Sequence, residues 1–222
     1  DPPHGYFSAA TLLHHVAWNP SRKAPVPSNI VDIARLLVDR GADVNAMTLG
    51  RSGGTTVGLV ITSRMASEAN VSGPLIELLL ARGATLDLGT SESVIPDWGA
   101  MNVLDAPLAN HAPRAAEKLV ELGARADICA AAALGRMDLL RASFDVEGRL
   151  RVPSVHHGRV LSPRDAIGLA LLFAYVNRKP EAVDFLLEHE GNWDMTGVNN
   201  GTAMHRAAWG GDLSDLSAQL RR

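Results

Sequence analysis

The sequence predicts an all-α fold, a solenoid of about six helix-turn-helix repeats joined by irregular long fingers and loops. Three observations support this prediction. The octet TLLHHVAW at 11–18 returns as TAMHRAAW at 202–209, with Thr, His, Ala and Trp at the same offsets. Apolar stretches of helical length end repeatedly in Gly-Ala. The chain is 46% hydrophobic but only 5% aromatic, so helices packed through Ala and Leu explain its core better than a β-sandwich.

Length, charge and cysteine content narrow the class of protein. The 222 residues suffice for a buried core, and the formal net charge of −3 gives no general attraction to nucleic acid. The single cysteine, Cys129, cannot form an internal disulfide, so we expect a cytoplasmic protein. The longest apolar run, AIGLALLFAYV at 166–176, is too short to span a membrane and predicts a buried helix. We expect a monomer or, since the chain begins with Asp1 and not Met, a part of a larger chain.

Glycines that follow apolar helices mark the repeats. Gly41, Gly83, Gly123 and a less regular Gly191 are separated by 42, 40 and 68 residues. Since 68 is twice 34, a further unit is expected between the last two, and AAAALGRMDLLRASF at 130–144 fits it. We therefore predict a single domain, 1–222, whose units are approximately 1–46, 47–88, 89–126, 127–162, 163–195 and 196–222.

Each unit is predicted to hold two antiparallel helices. In the first unit Ser28 is the expected N-cap, and Gly41 is expected in the left-handed conformation that ends a helix. Pro113 and Pro180 are expected at the first position of later helices. The first unit also has one apolar stripe at helical spacing, formed by Ile30, Ile33, Ala34, Leu37 and Val38.

The pattern T-x-x-H-x-x-A, followed by an apolar helix ending in Gly-Ala-Asp-Val-Asn, resembles the ankyrin repeat family in a degenerate, bacterial-type form. Thr202 with His205 and Thr11 with His14 carry the resemblance at the two ends. In the middle units, spacing supports it more than residue type does, because Gly58, Asp105 and Cys129 take the histidine position. The resemblance implies that the threonine caps an inner helix and that the histidine bonds the backbone of the adjoining turn.

The connectors between helices are irregular in length. They include 19–28, 46–55, 89–100 and the long segment 145–165, whereas almost nothing separates Gly123 from the next helix. Connectors this long are commonly functional. We expect the helix after the second connector to run from Thr56 to Met65, and a break or bend in the solenoid near Gly123.

The most favoured function is non-catalytic protein–protein recognition, with no cofactor, nucleic acid or membrane. The ankyrin resemblance implies a concave groove lined by inner helices, and tryptophan is a frequent hot-spot residue in interfaces. The expected anchors are Trp18, Trp98, Arg206 and Trp209. A basic segment without acids in 148–163 adds an electrostatic contact through Arg149, Arg151, His156, His157 and Arg159. The identity of the protein partner does not follow from the sequence.

Three alternatives remain open at this stage. Gly50–Gly54 matches G-x-S-x-G, so Ser52 could be a hydrolase nucleophile, although no buried strand is expected before it. The same Gly-rich loop, 50–56, could bind a small anion or phosphate through Arg51, Ser52, Gly53, Gly54 and Thr55. The chain could also be a structural segment of a larger protein. No metal site is expected, because the histidines and the cysteine lack metal-ligand spacing.

Overall fold

The computed structural model describes residues 10–19, 24–48, 54–86, 93–95, 99–101, 103–151, 154–156 and 159–191. These residues are mainly helical, which confirms the predicted helical class. The chain divides into two compact units, 1–125 and 126–222, and the division falls at the end of the third predicted repeat.

In the first unit, helices follow one another along the chain with a single short hairpin among the described residues. The hairpin pairs β1 (Ser93–Ile95) with β2 (Gly99–Met101) in antiparallel fashion. The helices are a 3-10 helix (Leu13–Ala17), α1 (Ile30–Asp39), α2 (Thr56–Ile61), α3 (Arg64–Glu68), α4 (Ser72–Ala81), α5 (Asp105–Ala109) and α6 (Pro113–Glu121).

The helices of the first unit pack on their near neighbours in the chain. The 3-10 helix contacts α1 and α2, and α4 contacts α2 and α1. α6 in turn packs on α4, α3 and α5. The longer helices α1, α4 and α6 therefore lie side by side in chain order. The core between them is formed by leucines and alanines with no exposed surface, among them Leu75, Leu79 and Leu119.

The second unit is arranged around one long buried helix. Its described elements are α7 (Ile128–Leu134), α8 (Met137–Ala142), β3 (Val155–His156), β4 (Arg159–Val160), α9 (Pro163–Val176) and α10 (Pro180–Glu188). α9 packs on both α7 and α10, and α8 also contacts these two helices. Every residue of α9 from Ala166 to Ala174 is buried, which confirms the buried helix predicted from its apolar run.

Glycine ends the long helices of the first unit as predicted. Gly41, Gly83 and Gly123 have φ of 90°, 87° and 102°, a left-handed conformation that costs glycine no Cβ clash. In each case the next residue, an alanine, donates its N–H to the carbonyl of the leucine four residues before the glycine, at 2.9–3.0 Å. This hydrogen bond closes a Schellman motif and satisfies a carbonyl that the helix leaves without a partner.

The last helix end differs from the turns at the other glycines. The residue in the left-handed conformation is Glu190, with φ of 63°, one position before Gly191. Gly191 instead donates its N–H to Leu186 O at 2.8 Å, the role of the alanine in the other turns. A Cβ on Gly191 would lie only 2.7 Å from that same oxygen, so close backbone approach explains the glycine here.

One predicted helix start is wrong, whereas two are confirmed. α1 begins at Ile30 after Asn29 rather than after Ser28, and Asn29 makes no side-chain capping bond. The Ile30 N–H donates to Pro27 O at 3.1 Å, so a backbone carbonyl replaces the expected side-chain cap. Pro113 and Pro180 are the first residues of α6 and α10, as predicted.

The helix predicted from Thr56 to Met65 is broken into α2 and α3. The Thr62 hydroxyl donates to Gly58 O at 3.1 Å, back toward the preceding turn. Ser63 then adopts an extended conformation, and its hydroxyl accepts the Ala66 N–H at 3.2 Å. Hydroxyl side chains that bond the local backbone in this way compete with helix continuation, and here Ser63 caps a new helix.

Candidate protein-binding surface

Trp18 ends the 3-10 helix in a fixed position. It has φ of 52°, a left-handed conformation that is uncommon outside glycine, and its backbone N–H donates to His15 O at 3.3 Å. The indole N–H donates to Ala24 O at 3.0 Å, which ties the ring to the connector that follows. The side chain is half-buried. Trp18 therefore offers apolar ring surface rather than a free hydrogen-bond donor.

The buried His14 links the 3-10 helix to the turn beyond α1. Its Nε2 lies 2.9 Å from Ala46 O, and its Nδ1 accepts the Thr11 N–H at 3.0 Å. Because Nδ1 accepts, the hydrogen-bond network assigns the proton to Nε2, which donates to Ala46. This confirms the predicted bond from the histidine to the adjoining turn. The Thr11 hydroxyl lies 2.9 Å from the same Nδ1, so its side chain positions the ring instead of capping the helix as predicted.

The environment of His14 favours its neutral form. Only 1% of the residue is exposed, and burial lowers its pKa below the ordinary 6.5. The nearby His15 lowers the pKa further, whereas the carbonyls of Ala46 and Gly54 and the Asp43 carboxylate oppose the shift. Protonation would also convert Nδ1 into a donor and remove its bond from the Thr11 N–H.

Asn45 connects the turn after α1 to the turn after α4. Its Nδ2 donates to Gly83 O at 2.8 Å, while its Oδ1 accepts the Thr85 N–H at 2.9 Å and the Thr85 hydroxyl at 3.1 Å. The Asn45 N–H itself donates to Asp43 at 2.9 Å. The sequence analysis did not predict this role, although Asn45 is the last residue of the Gly-Ala-Asp-Val-Asn motif and could have been considered on that ground.

Asn19 is a second connecting residue that the sequence analysis missed. It directly follows Trp18, and its Nδ2 donates to Leu59 O at 3.1 Å and to the Thr62 hydroxyl at 2.9 Å. The segment 11–19 is therefore held at His14 on one side of Trp18 and at Asn19 on the other. Such positioning reduces the conformational entropy that Trp18 would lose on binding a partner.

In the described part of the Gly-rich loop, Gly54 and Thr55 already form hydrogen bonds within the chain. The Gly54 N–H donates to the Thr48 hydroxyl at 3.0 Å, and Gly54 O accepts the Thr48 N–H at 3.1 Å. Thr55 caps α2, since its hydroxyl accepts the Gly58 N–H at 3.3 Å. Gly54 thus keeps no N–H for an anion. Arg51, Ser52 and Gly53 lie outside the described residues, and residues 41–48 before them form turns without a strand.

The basic connector is less basic than predicted. Acids directly precede it: Asp145 accepts the Arg149 Nε–H at 2.9 Å and the Arg149 backbone N–H at 2.8 Å, and Glu147 accepts a further guanidinium N–H at 3.0 Å. The Arg149 backbone N–H and guanidinium lower the pKa of Asp145, although partial burial opposes this shift. The charge of Arg149 is therefore balanced within the chain.

The other connector residues occupy different positions. Arg151 donates its Nε–H to Phe144 O at 2.7 Å. His156 stands opposite Arg159 in the β3–β4 ladder. His157 lies outside the described residues. The structure thus assigns an internal hydrogen bond to Arg151 and places His156 and Arg159 together on one short hairpin.

The remaining predicted anchors, Trp98, Arg206 and Trp209, lie outside the described residues. Across the described stretches, no group of three or more His, Cys, Asp or Glu residues is arranged to hold a metal ion. None of the helices in that part of the chain has the length and apolarity that a membrane crossing requires.

No protein-family model matches the chain, and no curated protein matches it significantly in sequence.

Proposed function

We propose that the chain is an ankyrin-like repeat solenoid that binds a protein partner, without catalysis, through a groove lined by its inner helices and fingers. The observation that carries the proposal is a pair of links between neighbouring segments: His14 joins the 3-10 helix to the turn after α1 over 32 residues of sequence, and Asn45 joins this turn to the turn after α4 over 38. Bonds between equivalent parts of successive helix pairs are what a repeat architecture requires, and stacked repeats commonly offer an extended binding surface.

Within this proposal Trp18 is the principal anchor of the first helix pair. Its ring is half-buried, its N–H is bonded to Ala24, and the neighbouring Asn19 is fixed on α2. A rigid aromatic side chain of this kind contributes contact area at low entropic cost. Trp98, Arg206 and Trp209 are the further proposed anchors. His156 and Arg159, which are register partners in β3 and β4, are better candidates for an electrostatic contact than the balanced Arg149.

Affinity capture with matched baits tests the proposal. The wild-type chain, the Trp18→Ala/Trp209→Ala double variant and the Arg35→Ala control are immobilised separately and exposed to lysate of the source organism. Arg35 suits the control because it is exposed on α1 and, within the described part of the chain, pairs with Asp32 of its own helix. Retrieved proteins are quantified by mass spectrometry, and the affinity of the best candidate is then measured with purified components.

The expected result is one protein that wild type and Arg35→Ala retain and the double variant loses. Truncating a hot-spot tryptophan costs about 2 kcal/mol or more, so the purified partner should bind the double variant at least roughly 30-fold more weakly. If wild type and double variant retrieve the same proteins in equal amounts, the tryptophans do not anchor a partner and the proposal is wrong.

A further inference from the structure

α1 carries an apolar flank that is partly exposed. α1 packs on the 3-10 helix and, on one side, on α4. On the opposite side Leu36 is 54% exposed and Ile33 is 36% exposed, although the sequence predicted Ile33 on the buried stripe. Only Ile30 and Ala34 of that stripe are fully buried.

The equivalent flank of α4 shows what such a surface contacts. α1 and α4 have the same length and end in the same left-handed turn, at Gly41 and Gly83, so their residues correspond at an offset of 42. Ile33 then corresponds to Leu75 and Leu36 to Leu78. Leu75 has no exposed surface and Leu78 is half-buried, and α4 differs from α1 in having the preceding long helix packed against it. The exposed flank of α1 is thus a helix-stacking surface.

The ion pair at the end of α4 follows the same correspondence. Arg82, the residue after α4, forms an ion pair with Asp39, the last residue of the preceding helix α1. Arg40 takes the position of Arg82 after α1, and the described residues supply no ion pair for it. Between α4 and α6 the preceding helix also supplies the acid, at a different position, since Glu77 pairs with Lys118 at 2.8 Å. A helix on the free side of α1 would complete this series by offering a carboxylate to Arg40.

We propose that the α1 flank, defined by Ile33, Leu36 and Arg40, binds an amphipathic α-helix of a protein partner. This partner helix lies parallel to α1, places apolar side chains on Ile33 and Leu36, and carries an acidic residue near its C-terminal end for Arg40. A folded second copy of this chain does not offer α1 as that helix, because the flank carrying Asp39 is already packed on α4. This surface is separate from the proposed groove, and the inference does not depend on Trp18.

A peptide that copies α1 itself is the most direct probe. The sequence SNIVDIARLLVDRGA, 28–42, packs on the corresponding flank of α4, so a fluorescent, hydrocarbon-stapled version should dock on the α1 flank of the full chain. Stapling holds the helix, because an unconstrained peptide of this length is only marginally helical in water. Fluorescence anisotropy measures its binding to wild type and variants. Thermal unfolding by circular dichroism verifies that each variant is folded.

Wild type is expected to bind the peptide saturably, and Leu36→Asp should weaken binding about tenfold or more by placing a charge in the apolar contact. Arg40→Glu should also weaken binding, and a peptide carrying lysine at the Asp39 position should restore it, since the charge pair is then reversed. Arg35→Glu, a charge reversal on the same helix at a residue paired with Asp32, should leave binding unchanged.

Several results would overturn the proposal. One is the absence of saturable binding by wild type, and another is equal binding by wild type and Leu36→Asp. Binding that appears only in a Tyr6→Ser/Phe7→Ser variant would mean that the N-terminal segment of this chain covers the flank instead. Analytical ultracentrifugation showing a wild-type dimer that Leu36→Asp dissociates would assign the flank to a second copy.

Discussion

The left-handed turn at Gly41 gives a prediction whose magnitude follows from the structure. Gly41 has φ of 90°, and a Cβ built on it would meet no atom within 4 Å. A substitution there meets no steric clash with neighbours, so its cost is the intrinsic cost of a left-handed backbone. For an ordinary L-residue this is roughly 1–2 kcal/mol, and a β-branched residue lies at the upper end. Gly41→Val should therefore destabilise the first unit by about 1–2 kcal/mol.

Gly41→Asn is the matched control for this prediction. Asparagine tolerates the left-handed region, and in this chain Asn70 already adopts φ of 58° in an equivalent turn. Gly41→Asn should cost only a few tenths of a kcal/mol. If the effect arose from lost flexibility or from contacts, the two variants would be affected alike. The difference in the free energy of unfolding between the two variants therefore measures the cost of the left-handed backbone conformation.

Urea unfolding monitored by circular dichroism measures both variants against wild type. A loss of about 1–2 kcal/mol lowers the thermal midpoint of a domain of this size by roughly 2–8 °C, so a melting experiment offers an independent check. An unchanged stability for Gly41→Val, or an equal loss for valine and asparagine, would show that the turn does not constrain this residue as described.

Three further predictions test other contacts. Burial holds the pKa of His14 in the folded protein below 6.5, so the contribution of neutral His14 to stability is complete above pH 6.5 and declines as the pH falls from 6.5 toward the lowered pKa. Urea unfolding across this pH range should show a decline in the free energy of unfolding that the His14→Gln variant lacks. Asn45→Ala removes bonds to Gly83 and Thr85 and should cost about 1–2 kcal/mol in chemical denaturation, whereas a loss below the error of the method would contradict this role. Gly191→Ala places a Cβ 2.7 Å from Leu186 O and should lower the thermal midpoint by displacing backbone, and an unaltered midpoint would contradict the close approach.

The elements that the sequence predicted well depend on strong local chemistry. Helix ends at Gly41, Gly83 and Gly123 were predictable because glycine is the residue that adopts positive φ without strain. The buried α9 was predictable because nearly every residue of 166–176 is apolar. The bond from His14 to the adjoining turn followed from the ankyrin resemblance rather than from the local pattern.

The missed features depend on competition or on distant neighbours. The sequence around Ser63 continues the helical pattern, so it does not mark Ser63 as a helix start. Whether the helix continues or restarts depends on which hydroxyl side chains bond the local backbone, and residue type alone does not determine this. The left-handed conformation of Glu190 could not be predicted from residue type, because glycine is the usual residue in that conformation. The exposure of Ile33 depends on which helix packs beside α1, and a periodic pattern in one helix does not contain that information.

The bonds described above between successive helix pairs of the first unit join residues at similar, short separations along the chain. Those from His14, Asn19 and Asn45 cover 32, 40 and 38 residues, and the ion pairs of Arg82 and Lys118 cover 43 and 41. No link among them bypasses a neighbour. The first helix pair can consequently unfold locally while the following pairs stay folded, because its bonds reach only the neighbouring pair. Hydrogen exchange should then be graded, fastest in α1 and slower toward α4.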